Sequence, residues 1–351
     1  MKYKFYKREN RKIVPVTDKI INQIAVEKLQ SIYDDKSIFN SLPQKFQQNF
    51  DEVSLFHPSG DIEKSNSILL NPEDGAYSLN NKINHLTGKE WTKFTKSWFV
   101  FDALHSDIKE EKEISSQIEL NSDEHPATYS PTMTKSFIEF FTKEGEIVFD
   151  PFSGIGSTQV GAQRANRIGL GIELNPKYAK IANLRLNKPS KVFNGNSLNL
   201  KSILKKHKID KIDFSISSPP YWDILNRSTG EFEKKRTSKS LDVNYSENHN
   251  EDVGHIENYE EFIIKCSDIY FQIYDLLKIG GYIVVIIKNI KKDGKHYPLA
   301  WDLARKLLEK YDLKDEKIWC QDKQSLSPFG YPFSWTSNIV HHYCLIFQKT
   351  K

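Results

Sequence analysis

"VFDPFSGIGSTQVG", residues 148–161, leads from an apolar strand through an acidic residue and a Gly-x-Gly turn into a helix. Glycine lets the backbone turn tightly and approach a ligand closely, and the amino end of the following helix can take a carboxylate. Asp150 closes the strand, Gly154 and Gly156 make the turn, and "STQVGAQRAN" (157–166) reads as the helix. A dinucleotide-binding fold is the obvious competitor, but Gln159 stands where the third glycine of G-x-G-x-x-G belongs. A purely structural turn is the other alternative. The next strand, "RIGLGIE" (167–173), ends in Glu173, seventeen residues after Gly156. A carboxylate there can accept both hydroxyls of a ribose.

Outward from this stretch the pattern keeps alternating. "EIVFD" (146–150) is the first strand, and "NPKYAKIANLRLNK" (175–188) is a helix opened by an Asn cap and a first-turn proline. "KVFNGN" and "DFSIS" are further strands, and "NGNS" (194–197) offers Asn196 to an adenine edge or is a plain Asn-Gly turn. "YEEFIIKCSDIYFQIYDLLK" (259–278) has helical spacing and is expected to stop at Gly280-Gly281. "YIVVIIK" (282–288) is a buried strand, followed by the helix "PLAWDLARKLLEK" and the strands "EKIWC" and "HYCLIF". This alternation predicts an α/β fold with a mostly parallel sheet covered on both faces. The closing strand has no helical crossover before it and should return antiparallel.

Residues 1–90 read differently, as a small polar region rich in Asn, Ser, Lys and Gln with weak periodicity and no evident core. The expected organisation is an accessory region over 1–90 and a main domain over 91–351, with an insertion at about 223–258. Net charge is only +4 over 351 residues, so a nucleic-acid partner must be argued from local clusters. The three cysteines, Cys266, Cys320 and Cys344, are scattered, which argues against a disulfide framework and a zinc site. No apolar run is long enough for a bilayer and no signal peptide opens the chain, so a soluble, cytoplasmic protein without metal is expected.

"SISSPPYWDI" (215–224) runs a strand straight into two prolines and two aromatics. Proline cannot donate to a sheet ladder, so the strand ends there. Either an aromatic turn or a base-binding pocket at a strand's carboxyl end accounts for it. Taken in order, "DPFSGIGST", "GIELNPKYAKIA" and "SSPPYW", with "HPATYSPTM" upstream, resemble the S-adenosylmethionine-dependent DNA methyltransferases that modify exocyclic amino groups.

The resemblance covers roughly residues 85–351 and implies a Rossmann-like fold, with a seven-stranded sheet whose last strand is antiparallel. It implies S-adenosylmethionine as cofactor, with Tyr129, Asp150, Pro151, Phe152, Gly154, Gly156, Ser157 and Thr158 around its methionine part. Glu173 would hold the ribose and Asn196 the adenine. Ser218, Pro219, Pro220 and Tyr221 would be the catalytic set, accepting hydrogen bonds from the amine and stacking on a base swung out of the duplex. Family members with serine in the first position are mostly cytosine-N4 enzymes; adenine-N6 enzymes usually carry Asp or Asn. Methylation at cytosine C5 needs a thiolate, typically in a Pro-Cys pair, and no cysteine here follows a proline.

Double-stranded DNA is the expected partner, with a cognate restriction endonuclease as a candidate second one. Arg227, Lys234, Lys235 and Arg236 follow the catalytic motif, Lys291 and Lys292 lie in "KNIKKDGK", and Tyr331 and Trp335 lie in "SPFGYPFSWTSN". Such loops contact phosphates and unstacked bases, or are merely solvated. The cofactor motif precedes the catalytic motif, the reverse of many Ser-Pro-Pro enzymes. Target recognition is therefore expected from residues 1–90, from the 223–258 insertion, or from both. The rival readings are adenine-N6 methylation, an RNA-directed methyltransferase and a non-catalytic DNA-binding subunit.

Overall fold

The computed structural model describes residues 3–102, 106–107, 109–110, 129–222, 252–292 and 294–351. The chain divides into two compact units, one of Met1–Lys96 with Glu139–Glu144, the other of Ser97–Ile138 with Gly145–Lys351.

The first unit corrects the expectation of a polar region without an evident core. Strands β1 (Phe5–Glu9), β2 (Lys12–Pro15), β3 (Ser54–Phe56), β4 (Ser67–Leu69) and β5 (Tyr77–Ser78) form a sheet in the order β2-β1-β3-β4-β5. Helix α1 (Lys19–Asp34) starts at an Asp18 cap, whose carboxylate accepts from Ile20 N at 2.8 Å and Ile21 N at 3.0 Å. It buries Ala25 and Leu29, one turn apart, among Phe5, Phe46, Leu55, Ile68 and Tyr77. Short helices α2 (Lys36–Ser41), α3 (Gln44–Gln48) and α4 (Gly88–Phe94) complete the unit. The strands and α2–α4 are too short to show a period, whereas α1 shows one, with Ile21, Ala25, Leu29 and Ile32 toward the core; the other core residues come from distant parts of the chain.

The second unit holds the α/β sheet. Its elements are β6 (Trp98–Val100), α5 (Pro131–Phe141), β7 (Ile147–Asp150), α6 (Ser157–Arg164), β8 (Ile168–Glu173), α7 (Pro176–Leu184) and β9 (Lys191–Asn194). Then come α8 (Leu200–Lys206), β10 (Ile212–Ser217), α9 (Tyr259–Leu276), β11 (Leu277–Ile287), and the hairpin of β12 (Ile290–Lys292) and β13 (Lys295–Tyr297). The last are α10 (Leu299–Leu307), β14 (Asp312–Cys320) and β15 (His341–Gln348). The strand order is β6-β14-β15-β11-β10-β7-β8-β9. Among the described strands of this sheet only β15 is reversed, antiparallel to both β11 and β14, as the missing crossover required.

Two expectations about this unit are corrected. Among the described residues the sheet has eight strands, not seven, because the three-residue β6 adds itself in parallel to β14. Helix α9 ends at Leu276, and Gly280-Gly281 belong to β11. Gly280 has φ +80° at a register irregularity between β10 and β11, and a Cβ on Gly281 would lie 2.8 Å from Lys278 O. The glycines make a bulge rather than a helix stop.

Ile269, Tyr270 and Ile273 of α9 pack with Leu303 and Leu307 of α10 against Ile283, Val285 and Ile287 of β11. Each such side chain contributes roughly 1.5–3 kcal/mol by burial. The packing carries the carboxyl ends of the parallel strands to one edge. There chain order reverses between β7 and β10, opening the crevice where ligands bind in doubly wound sheets.

Candidate active site

Asp150 ends β7 fully buried, with its carboxylate surrounded by donors. Tyr129 Oη reaches Oδ2 at 2.7 Å, Thr158 Oγ1 reaches it at 2.6 Å, and Phe152 N reaches Oδ1 at 2.8 Å. Burial still outweighs these bonds and pushes the carboxyl up to about 6. The Tyr129 phenol is raised well above its ordinary value by burial and by the adjacent Asp150.

Gly154 and Gly156 both have positive φ, +51° and +87°. The turn they make lets Gly154 N donate to Glu173 Oε2 at 2.7 Å, and Asn175 N donates to Oε1 at 2.8 Å. Burial pushes Glu173 up to about 7, with the charges of Asp252 and Asp150 adding to the effect. A Cβ on Gly156 would lie 2.9 Å from Ala182 Cβ in α7.

The position of the missing third glycine is explained here. In a dinucleotide fold that glycine lets helix and strand pack closely. Here Gln159 supplies the side chain, donating to Ser153 Oγ at 2.9 Å and Leu170 O at 3.1 Å, and the bare backbone is on β8 at Gly169 and Gly171. A Cβ on Gly169 would lie 2.6 Å from Gln159 Cα. Ser157 Oγ, at the start of α6, is buried without a hydrogen-bond partner among the described residues. Asn196 Oδ1 accepts from Leu198 N at 2.9 Å and caps a short 3-10 turn. Gly195 N and Asn194 Nδ2 donate to Glu173 O at 2.9 and 3.0 Å. The three strand ends are thereby tied together.

Across the switch point, β10 ends at Ser217, whose hydroxyl pairs with Tyr270 Oη at 2.9 Å. Ser218 lies just beyond, half-buried, followed by buried Pro219 and half-buried Pro220 and Tyr221. Trp222 is instead a core anchor, its Nε1 donating to Glu257 O at 3.1 Å. Pro151 takes part through its carbonyl, which accepts from Ser197 Oγ.

Two neighbours of Tyr221 went unread in the sequence, with a third ring behind one of them. Lys288 Nζ lies 5.3 Å from the Tyr221 ring centroid, and the His342 ring lies 6.3 Å from it. Trp319 stacks on His342 at 4.7 Å. Burial, together with Lys288, lowers His342 to about 3, so its imidazole is neutral, and Nδ1 has no partner among the described residues. These groups sit at the ends of β11, β15 and β14, and only the reversed entry of β15 brings them together. The one available signal was a Lys directly after an apolar strand.

The expected DNA contacts divide. Arg227, Lys234, Lys235 and Arg236 lie outside the described residues. Lys291 is engaged with Thr336 Oγ1 and Ser337, which pins the 327–338 loop, and Lys292 Nζ sits 3.5 Å from the Trp222 ring centroid. Tyr331 and Trp335 are 81% and 87% exposed. Among the described residues no cluster of His, Cys, Asp and Glu could hold a metal, and no helix is long and apolar enough to cross a membrane.

A sheet with a single reversed strand, acids closing its first two cofactor-side strands and a glycine turn between them, is that of an α/β methyltransferase. The cofactor expected of that class is S-adenosylmethionine. The buried carboxylates, the close-approaching glycine backbone and the unpartnered Ser157 hydroxyl fit that molecule's ribose and amino-acid groups.

Within this class, the family described as DNA methylase matches residues 5–184, a little over half of the chain, and the chain belongs to it. Orphan methyltransferase M.BamHII of Bacillus amyloliquefaciens is 41% identical over 63 residues, 18% of this chain and 24% of the relative. The tRNA (guanine(10)-N2)-dimethyltransferase of Methanocaldococcus jannaschii is 32% identical over 117 residues, 31% of this chain and 33% of the relative. Type II methyltransferase M.HpaI of Haemophilus parainfluenzae is 26% identical over 163 residues, 46% of this chain and 40% of the relative. The chain thus spans between 24% and 40% of the length of these relatives. Among solved structures, TrmN from Thermus thermophilus is similar at a TM-score of 0.41 and 12% identity, covering 64% of this chain and 50% of that one. The fold assignment rests on the strand order.

Proposed function

We propose that this protein methylates the N4 amine of a cytosine swung out of duplex DNA. The observation that carries the reading is Ser218-Pro219-Pro220-Tyr221 at the carboxyl end of β10, beside the β7 end that bears Asp150. When bound, S-adenosylmethionine supplies an electrophilic methyl on a sulfonium. Asp150, Pro151, Phe152, Gly154, Gly156, Ser157, Thr158 and Tyr129 would hold its amino-acid part, Glu173 its ribose and Asn196 the adenine side.

The amine is a poor nucleophile because its lone pair is delocalised into the ring. The Ser218 hydroxyl and Pro219 carbonyl accept its two hydrogens, which turns the lone pair toward the methyl carbon. Tyr221 stacks on the extruded base. Transfer would join the nitrogen to the methyl carbon as the sulfur–carbon bond breaks, leaving a neutral thioether, and the amine would release one proton to solvent. C5 chemistry is disfavoured by the thiols: burial drives Cys266 and Cys344 well up, and Cys320 is half-buried at the end of β14.

The DNA methylase family and relatives named as Type II methyltransferases support a restriction-modification setting in the cytoplasm, with a cognate endonuclease as partner. Serine in the first catalytic position favours cytosine over adenine. The tRNA-methylating relative supports a second reading, an RNA amine as acceptor. The test is labelled-methyl transfer to unmethylated DNA and to tRNA, then nucleoside mass spectrometry. N4-methylcytosine is expected. N6-methyladenine alone would overturn the base, and label on tRNA alone would overturn DNA.

A further inference from the structure

An open groove of about 1330 Å³ crosses the N-terminal unit. Among the described residues, Arg8, Arg11, Lys12, Lys82 and Lys89 stand along it against one acid, Glu73. Elsewhere in this unit ammonium groups meet carboxylates: Lys28 with Glu63 at 3.3 Å, Lys45 with Glu90 at 3.3 Å, and Lys64 with Asp61 at 3.1 Å. At the groove they do not. Arg8 lies over the Phe56 ring, 5.9 Å from its centroid, and Lys89 reaches only the Glu73 carbonyl. Among the described residues Arg8, Arg11, Lys12 and Lys82 form no ion pair. The β1–β2 turn holds Asn10 at φ +46° and Arg11 at φ +65°. Glycine is the unstrained choice there, yet the chain places an arginine at the groove's rim.

The groove is larger than the roughly 300–1,000 Å³ of small-molecule sites. Uncompensated cations along an open groove match an extended polyanion. We propose that this groove grips the sugar-phosphate backbone of duplex DNA through Arg8, Arg11, Lys12 and Lys82. The inference rests on DNA being the substrate and assigns the N-terminal unit the task of holding it.

The test uses the full chain with Arg8, Arg11 and Lys82 all changed to Gln, and a control with Lys19, Lys36 and Lys64 all changed to Gln. Fluorescence anisotropy with a short labelled duplex, across a salt series, reads affinity and salt slope. The groove variant should bind at least about tenfold more weakly, and its slope should fall by about 0.9 for each phosphate it no longer neutralises. Calorimetric affinity for S-adenosylmethionine should match wild type, which shows that the variant is folded. Unchanged DNA affinity and slope, or an equal loss in the control, would overturn the proposal. Loss of binding to duplex RNA with DNA binding intact would overturn DNA as the occupant. Because the readout is binding, failure of the wild type to methylate DNA would sink the proposed reaction and leave this measurement decisive.

Discussion

Ser218 and Glu173 stand on opposite sides of the switch point and should fail in different ways. Ser218→Ala removes an acceptor needed to aim the amine, a transition-state loss. Single-turnover transfer should fall about 10²–10³-fold while cofactor affinity stays near wild type. Near-normal transfer would remove Ser218 from the mechanism. Glu173→Ala should weaken S-adenosylmethionine binding by about 1.5–3 kcal/mol in a calorimetric titration, the scale of hydrogen bonds to a charged group.

Glu173 also carries a pH signature. Its carboxyl titrates at about 7 in the folded protein against an ordinary 4.5. The unfolded chain therefore releases this proton first as pH rises. The stability linked to the group is present below pH 4.5 and is lost as pH climbs to about 7, at most on the order of 3 kcal/mol. Without cofactor, the melting temperature of Glu173→Gln minus that of wild type should grow between about pH 5 and pH 8. A constant difference would mean that the carboxylate ionises normally.

At the scale of elements, the contact between α6 and β8 depends on glycine in the strand. A methyl on Gly169 would meet the Gln159 backbone at 2.6 Å for Cα and 2.9 Å for the carbonyl oxygen, atoms that cannot rotate away. Gly169→Ala should cost about 1–3 kcal/mol in denaturant unfolding. Gly88→Ala is the counterpart. Nothing lies within 4 Å of its added methyl at the first position of α4, so stability should hold or rise by up to about 1 kcal/mol. Equal losses at both positions would refute the close-packing account.

At the scale of the molecule, large apolar surface is left in solvent on the loop between β14 and β15. Phe329, Tyr331, Phe333 and Trp335 are 55%, 81%, 95% and 87% exposed. Replacing Tyr331, Phe333 and Trp335 by Ser should leave unfolding free energy within about 0.5 kcal/mol for each position. Binding to DNA with an unpaired target base should weaken by about 1–3 kcal/mol for each ring that stacks on a base. A large stability loss with unchanged DNA binding would make the loop a structural strap.

What the sequence determined by itself was local and ordered along the chain. Each strand–turn–helix step places Asp150, the glycine turn, Glu173 and the Ser-Pro-Pro-Tyr motif at strand ends, because proline cannot donate to the ladder and glycine permits the tight turn. The reversal of the last strand was also legible, since no crossover precedes it. Tertiary structure alone decided what depends on register and packing between distant segments. Three residues at Trp98–Val100 carry no period, so only pairing with β14 makes them a strand. Gly280 and Gly281 look like a helix stop until β10 pairs beside them and makes them a bulge. Lys288 and His342 lie more than fifty residues apart and meet beside Tyr221 only because β15 enters the sheet backwards. The N-terminal core has the same cause in part: the spacing of Ile21, Ala25, Leu29 and Ile32 in α1 was legible, but their partners Phe5, Phe46, Leu55, Ile68 and Tyr77 lie on short elements whose burial became visible only on packing.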